Sequence, residues 1–160
     1  MLDEAHFLHG LHIDPSDWRV LDTYVELLFR EGRTEEAVPY THRVQASLPR
    51  GTLKAMLVES KNHVFLGDAD AACALYDQAF DQGKWVHACQ LLNNVAICAL
   101  RQFYAQPHRQ EEFLQRAEAS MEKAVQVAKT PSQKEVVQVN HEKLVAWKRD
   151  GGTYTGNLMW

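Results

Sequence analysis

Apolar residues recur at intervals of three and four positions over most of the chain, with polar residues between them. After Asp14-Pro15, the first clear stripe consists of Trp18, Leu21, Tyr24, Val25 and Leu28. This spacing places all five side chains on one face of an α-helix, and it predicts an amphipathic helix of roughly 15 residues. Gly32 predicts the end of this helix, because glycine readily adopts the left-handed conformation that terminates helices.

The same succession of helix, turn and second helix follows twice more. Thr34 favours the start of the second helix, and Asp68 favours another helix start after Gly67, since both side chains can cap a helix N-terminus. A last periodic segment predicts a terminal helix over residues 132–149. The pattern therefore predicts an all-α fold of about three helical hairpins followed by a terminal helix.

The turns return at a nearly constant interval. Gly32 and Gly67 lie 35 residues apart, and so do Ala37 and Ala72. A period of about 34 residues, with a small residue early in each second helix, is typical of helical solenoids. At these positions the sequence resembles the tetratricopeptide repeat (TPR) family, and the stretch from Leu91 to Ala96 is similar to the longer repeats of kinesin light chains.

The resemblance implies a right-handed superhelix of antiparallel helical hairpins. We expect one TPR-like domain over residues 1–150, made of a half-hairpin 1–15, repeats 16–51, 52–84 and 85–130, and a terminal helix 132–149, with a tail 151–160. The half-hairpin lacks its first helix. Two interpretations stay open, a chain cut from a larger protein and a chain that starts with an incomplete hairpin.

In the TPR family, the first helices of successive hairpins line a concave groove that binds extended peptides or helices. The resemblance implies a groove lined by Arg19, Asp22, Glu26, Arg30, Lys54, Val58, Lys61, Gln90, Asn93, Asn94, Ile97 and Arg101. Side chains such as Asn93 and Asn94 offer a donor and an acceptor together, which suits binding of a peptide backbone. We expect a bipolar groove, with Lys54, Lys61 and Arg101 suited to a carboxylate and Asp22 and Glu26 forming an acidic end.

Composition and net charge exclude some classes of protein. The 160 residues are 46% hydrophobic and carry a net charge of −4, which disfavours a dedicated nucleic-acid-binding protein. The sequence has neither a signal-peptide pattern nor an apolar run of about 18 residues, so we expect no membrane partner. Three cysteines cannot form a closed set of disulfides, which suggests a reducing compartment and a cytoplasmic location.

Candidate chemistry is sparse. His6, His9 and His12 follow a three-residue spacing, but no third metal ligand of another type lies at a convincing distance along the chain. We interpret Cys73 and Cys98 as small hydrophobic residues, and no catalytic motif is present. We therefore expect neither an enzyme nor a cofactor. Most aromatic residues fit a core, although Phe29, Phe65 or Trp85 could line the groove or an interface.

The tail adds a candidate for self-association. Tyr154, Leu158, Met159 and Trp160 are apolar, and exposed apolar groups of this size favour docking. Docking into the groove of a neighbouring copy would give a homodimer.

The favoured function is a scaffold or adaptor that binds a protein or peptide segment in the groove. Two alternatives stay open, a small bacterial secretion chaperone of the TPR type and a regulatory TPR fragment of a larger enzyme.

Overall fold

The computed structural model describes residues 4–150, and this part of the chain is helical without a strand. The prediction of an all-α fold is confirmed. The helices are α1 (Glu4–Ile13), α2 (Trp18–Arg30), α3 (Thr34–Ser47), α4 (Leu53–Phe65), α5 (Ala69–Asp81), α6 (Cys89–Ala105), α7 (Gln110–Val127) and α8 (Pro131–Asp150), with a short 3₁₀ turn at Pro107–Arg109.

The chain forms two compact units, the first ending at Ala72 and the second beginning at Cys73. The division falls within α5. Each unit has an apolar core of its own.

The first unit is built around α2. Of the predicted stripe, Leu21, Tyr24, Val25 and Leu28 are buried, with at most 3% of each residue exposed, whereas Trp18 is half-buried. The four buried residues pack with Phe7 and Leu11 of α1, Val44 of α3 and Val58 of α4. The amphipathic helix predicted after Asp14-Pro15 therefore supplies the central apolar face of this unit.

The glycine turns have the predicted form. Gly32 and Gly67 adopt positive φ angles of 75° and 79°. After each glycine the next backbone amide donates back across the turn, from Arg33 to the Leu28 carbonyl and from Asp68 to the His63 carbonyl, both at 2.8 Å. This geometry satisfies carbonyl groups that the helix end would leave unpaired.

One of the two predicted helix caps is confirmed and the other is wrong. The Asp68 carboxylate accepts a hydrogen bond from the Ala71 amide at 3.0 Å, which confirms it as a cap. Thr34 is instead the first residue of α3, and the preceding Arg33 occupies the cap position without a side-chain cap bond. The prediction for Thr34 is therefore wrong by one position, because helix α3 starts one residue earlier than expected.

The second unit is built around α6. Every residue from Leu91 to Leu100 is buried, so this part of the helix is covered on all its faces. Ala117, Met121 and Ala124 of α7 pack on it, and Val137 and Leu144 of α8 complete the two apolar clusters. Helix α8 begins and ends one residue outside the predicted range 132–149.

Arg33 joins α1 to the turn between α2 and α3. Its guanidinium donates to both carboxylate oxygens of Glu4, at 2.9 and 3.2 Å, and it also pairs with Glu31 and Glu36. The Tyr24 hydroxyl donates to Glu4 at 2.7 Å. These bonds, chiefly those from Arg33, lower the pKa of Glu4 below its ordinary value of 4.5, whereas burial and Glu4 raise the pKa of Tyr24.

We expect the free energy of unfolding of Arg33→Gln to depend less on pH under acidic conditions than that of the wild type. The pKa of Glu4 is lower in the folded chain than in the unfolded chain, so its stabilising effect is present above pH 4.5 and is lost as pH falls through the folded value. Urea unfolding at several pH values between about 5 and about 3 measures this slope. The matched control is Arg50→Gln, at an exposed arginine of the same unit; equal slopes for both variants would contradict the expectation.

Candidate functional site

In the first unit, Lys61 lies between two acidic residues of the predicted groove. Its ammonium is 2.7 Å from Asp22 Oδ1 and 2.7 Å from Glu26 Oε1. Lys61 projects from α4 and both carboxylates from α2, so the ion pairs tie these helices together. This corrects the expectation that Lys61 presents an unpaired positive charge to a partner, and that Asp22 and Glu26 form a separate acidic end.

The other predicted groove residues of the first unit differ in their exposure and in their contacts. The Arg19 guanidinium and the Lys54 ammonium lie 5.1 and 5.2 Å from the ring centroid of Trp18, within cation–π range. Arg30 is exposed. Val58 is only 2% exposed, because it belongs to the apolar core. It therefore cannot line an open surface as predicted.

In the second unit, Asn93 and Asn94 are core residues with 2% and 1% exposure. Asn93 Nδ2 donates to Asn94 Oδ1 at 2.9 Å, and Asn140 Nδ2 of α8 donates to Asn93 Oδ1 at 2.8 Å. Ile97 is buried in the cluster that contains Leu144 of α8. The prediction that these three residues face a peptide is corrected, since all three are buried and the bonding partner of Asn93 comes from α8.

Gln90 and Arg101, the remaining two predicted groove residues of this unit, are exposed. The predicted self-association residues Tyr154, Leu158, Met159 and Trp160 lie outside the described residues. The expectation of a homodimer through this tail therefore remains a hypothesis.

Two of the three cysteines form a disulfide. Cys73 of α5 and Cys98 of α6 are joined, with their Cα atoms 5.5 Å apart. The interpretation of both as small hydrophobic residues is wrong, because the α5–α6 packing brings together positions that are 25 residues apart in sequence. The cysteine count therefore no longer supports a reducing compartment.

Cys89 and three histidines of α1 have side chains that could react or bind a metal ion. Cys89 is a buried free thiol whose Sγ lies 3.6 Å from the Ala124 carbonyl oxygen, and burial raises its pKa. A raised pKa disfavours the thiolate that a nucleophile requires. His6, His9 and His12 are exposed on α1, and within residues 4–150 no three His, Cys, Asp or Glu side chains are placed to share a metal ion.

The second unit contains a pocket of about 340 Å³ at the turn between α5 and α6. Its lining comes from the end of α5, the turn, the start of α6 and the middle of α7. The lining residues are Phe80, Lys84, Trp85, Val86, Leu91, Leu92, Ala119, Ser120 and Lys123. We refer to this site as the Trp85 pocket.

An ion-pair cluster fixes the α5 wall of the Trp85 pocket. Arg116 of α7 pairs with Asp77 at 3.0 Å and with Asp81 at 2.9 Å, and its guanidinium lies 4.6 Å from the ring centroid of Phe80. Gln102 of α6 donates to Asp77 at 2.9 Å. Burial raises the pKa of Asp77, the opposing effect of Arg116 being smaller. These bonds hold α5, α6 and α7 together beside Phe80.

Trp85 has an unusual backbone conformation. Its φ angle of 49° is the one positive value at a non-glycine residue in the described part of the chain. A left-handed conformation is unfavourable for a bulky side chain, and such strain is concentrated at functional sites. Here it places the half-buried indole at the side of the pocket, next to the exposed side chain of Val86.

Three polar side chains at the Trp85 pocket can form further ion pairs or hydrogen bonds. Lys84 and Lys123 have no carboxylate partner within residues 4–150, although the Lys84 ammonium lies 5.8 Å from the Trp85 ring centroid. The Ser120 hydroxyl is buried and has no hydrogen-bond partner in that same part of the protein. The pocket therefore combines an apolar lining with two cations and one unsatisfied hydroxyl.

A second cavity of about 390 Å³ lies between α7 and α8. It includes Glu118 and Lys148, which pair with each other. The Trp85 pocket is the stronger candidate, because its cations are unpaired.

Sequence reasoning found one component of the Trp85 pocket and missed the rest. Trp85 is one of the three aromatic residues that the sequence indicates as able to line the groove or an interface. Ser120 and Lys123 gave no signal of their own, since they occupy ordinary positions on a periodic helix.

Comparison of the chain with protein-family models, curated protein sequences and solved structures finds no match. Function is therefore inferred from the geometry of the two units. None of the helices in residues 4–150 combines the length and apolar content needed to cross a membrane.

Proposed function

We propose that this chain is a non-enzymatic protein-interaction module that binds a peptide or protein segment in the Trp85 pocket. The observation that supports this is a preformed apolar pocket of about 340 Å³ bordered by an aromatic side chain in a strained conformation. Ligand-binding cavities are commonly of about 300–1,000 Å³ and mostly apolar, with a few polar groups. The Trp85 pocket lies at the lower end of this range, which suits one large side chain with part of its backbone.

The TPR resemblance is consistent with this function and remains part of the proposal. Its support is the pair of glycine turns of the same geometry, 35 residues apart in sequence. The binding surface we propose differs from the groove that the resemblance implies, since Asn93, Asn94 and Ile97 are buried.

The proposal also revises the expected location. A disulfide between Cys73 and Cys98 favours an oxidising compartment over the cytoplasm. A cytoplasmic protein would hold these two residues as buried thiols.

A peptide selection followed by a single substitution tests the proposed function. Twelve-residue peptides are selected from a random display library on the full chain, and their affinities are measured by fluorescence anisotropy. We expect Trp85→Gly to weaken binding by about tenfold or more, as truncation of a central aromatic contact does. Glycine suits the positive φ angle of this position, so the variant should fold.

Phe65→Ala is the matched control, because Phe65 is a partly exposed aromatic residue of the first unit. It should leave peptide affinity unchanged. Equal binding by wild type and a folded Trp85→Gly variant, or the absence of any selected peptide, would refute the proposed function.

A further inference from the structure

The polar groups of the Trp85 pocket indicate the chemistry of its partner. We infer that the bound segment carries one bulky apolar side chain flanked by carboxylates. This inference rests on the proposed function, and it adds the charge of the partner to the site.

The first support is the local excess of positive charge. Lys84 and Lys123 lie at the pocket without a carboxylate partner in the described part of the chain. No acidic residue of the described part of the chain lines this pocket. Asp81 pairs with Arg116, and Glu122 lines the separate cavity between α7 and α8. An acidic segment complements this arrangement, whereas a basic segment would add like charges.

The second support is Ser120. This residue is 2% exposed, and its hydroxyl has no hydrogen-bond partner within residues 4–150. A buried hydroxyl without a partner is unfavourable, because it has given up its bonds to water. Ser120 is one of the residues that line the pocket, so we infer that a carboxylate or a peptide carbonyl of the occupant accepts a hydrogen bond from this hydroxyl.

The third support is the apolar lining. Phe80, Leu91 and Leu92 contribute apolar surface, and Trp85 adds an aromatic side. Leu92 belongs to a core cluster of the second unit and Phe80 packs against that cluster, so the pocket is backed by packed side chains. Such a surface favours a bulky apolar side chain of the partner over a fully charged segment.

Three peptide pools that differ only in charge test the inference. Each pool carries Leu, Met, Phe or Trp at its centre within glycine–serine ends, and the four flanking residues are all Asp, all Asn or all Lys. Anisotropy titrations with the full chain at low and high salt give the affinities. We expect the Asp pool to bind about three- to tenfold more tightly than the Asn pool, as two exposed charge pairs allow, with the difference shrinking in high salt.

The variant Lys84→Gln/Lys123→Gln should remove the preference for Asp over Asn and retain binding of the Asn pool. The control Lys129→Gln/Lys134→Gln removes the same charge from exposed lysines that do not line the pocket, and it should keep the preference.

Equal affinities for the Asp and Asn pools would overturn the inference and leave the proposed function intact. Binding by none of the three pools would overturn both. A synthetic peptide of residues 153–160, which contain no acidic residue, serves as a competitor. Tighter binding of this peptide than of the Asp pool would also overturn the inference, in favour of self-association through the tail.

Discussion

Reduction of the Cys73–Cys98 disulfide should lower the free energy of unfolding by about 3–4 kcal/mol. The two cysteines are 25 residues apart in sequence, so the bond closes a loop of moderate length. In the chain-entropy description, such a loop stabilises the folded state because it limits the conformations of the unfolded chain. Urea unfolding with and without reductant measures the difference, provided that the slope with urea is compared as well.

The variant Cys73→Ala/Cys98→Ala provides the control for this experiment. It should match the reduced wild type in stability and should not respond to reductant. Cys89→Ala retains the bonded pair and should keep the response, because Cys89 is the free thiol. Detection of three reactive thiols in the unfolded, non-reduced protein would show that the disulfide is absent and would contradict the prediction.

Substitution of Asn140 by Leu should cost about 1–3 kcal/mol of stability, the usual cost of a buried polar group that loses its partner. Asn140 is fully buried, and its amide donates to Asn93 Oδ1 at 2.8 Å. Leucine has a similar size but no donor, so the Asn93 carbonyl loses this bond inside the core. The midpoint and slope of urea unfolding give the change in free energy.

Gln126→Leu serves as the control, since Gln126 is exposed on α7. Surface substitutions of this kind usually change stability by no more than about 0.5 kcal/mol. A comparable small effect of Asn140→Leu would contradict the prediction.

The spacing of apolar residues was sufficient to predict the helices, because a helical face is formed by residues that lie three or four positions apart in sequence. The stripe of Leu21, Tyr24, Val25 and Leu28 is buried as predicted. Gly32 and Gly67 end helices as predicted, since the requirement for a positive φ angle is local. The cap at Asp68 has the same local origin.

The failures concern contacts between segments that are distant in sequence. Asn93 and Asn94 were assigned to a groove because the TPR resemblance places the first helices of the hairpins there. Both are buried, and Asn140, 47 positions after Asn93, donates to the Asn93 side chain. The Cys73–Cys98 bond likewise depends on the packing of α5 against α6, which residue spacing does not reveal.

The candidate site was predictable only in part for the same reason. The Trp85 pocket takes residues from three stretches of chain, 80–86, 91–92 and 119–123. A sequence pattern can identify Trp85 as an unusual aromatic residue near a turn, but it cannot indicate that Lys84 and Lys123 lie at the same cavity. Nor does it predict that Ser120 lacks a hydrogen-bond partner.

The disulfide also gives the second unit a covalent ring that contains the whole α5–α6 turn. The exposed residues Val86 and His87 lie in this turn, and exposed turns are preferred sites of proteolytic cleavage. A cut there would leave the two pieces joined through Cys73 and Cys98. Such a nicked protein would migrate as one species without reductant and as two fragments with it, so apparent purity on a non-reducing gel is no measure of an intact binding turn.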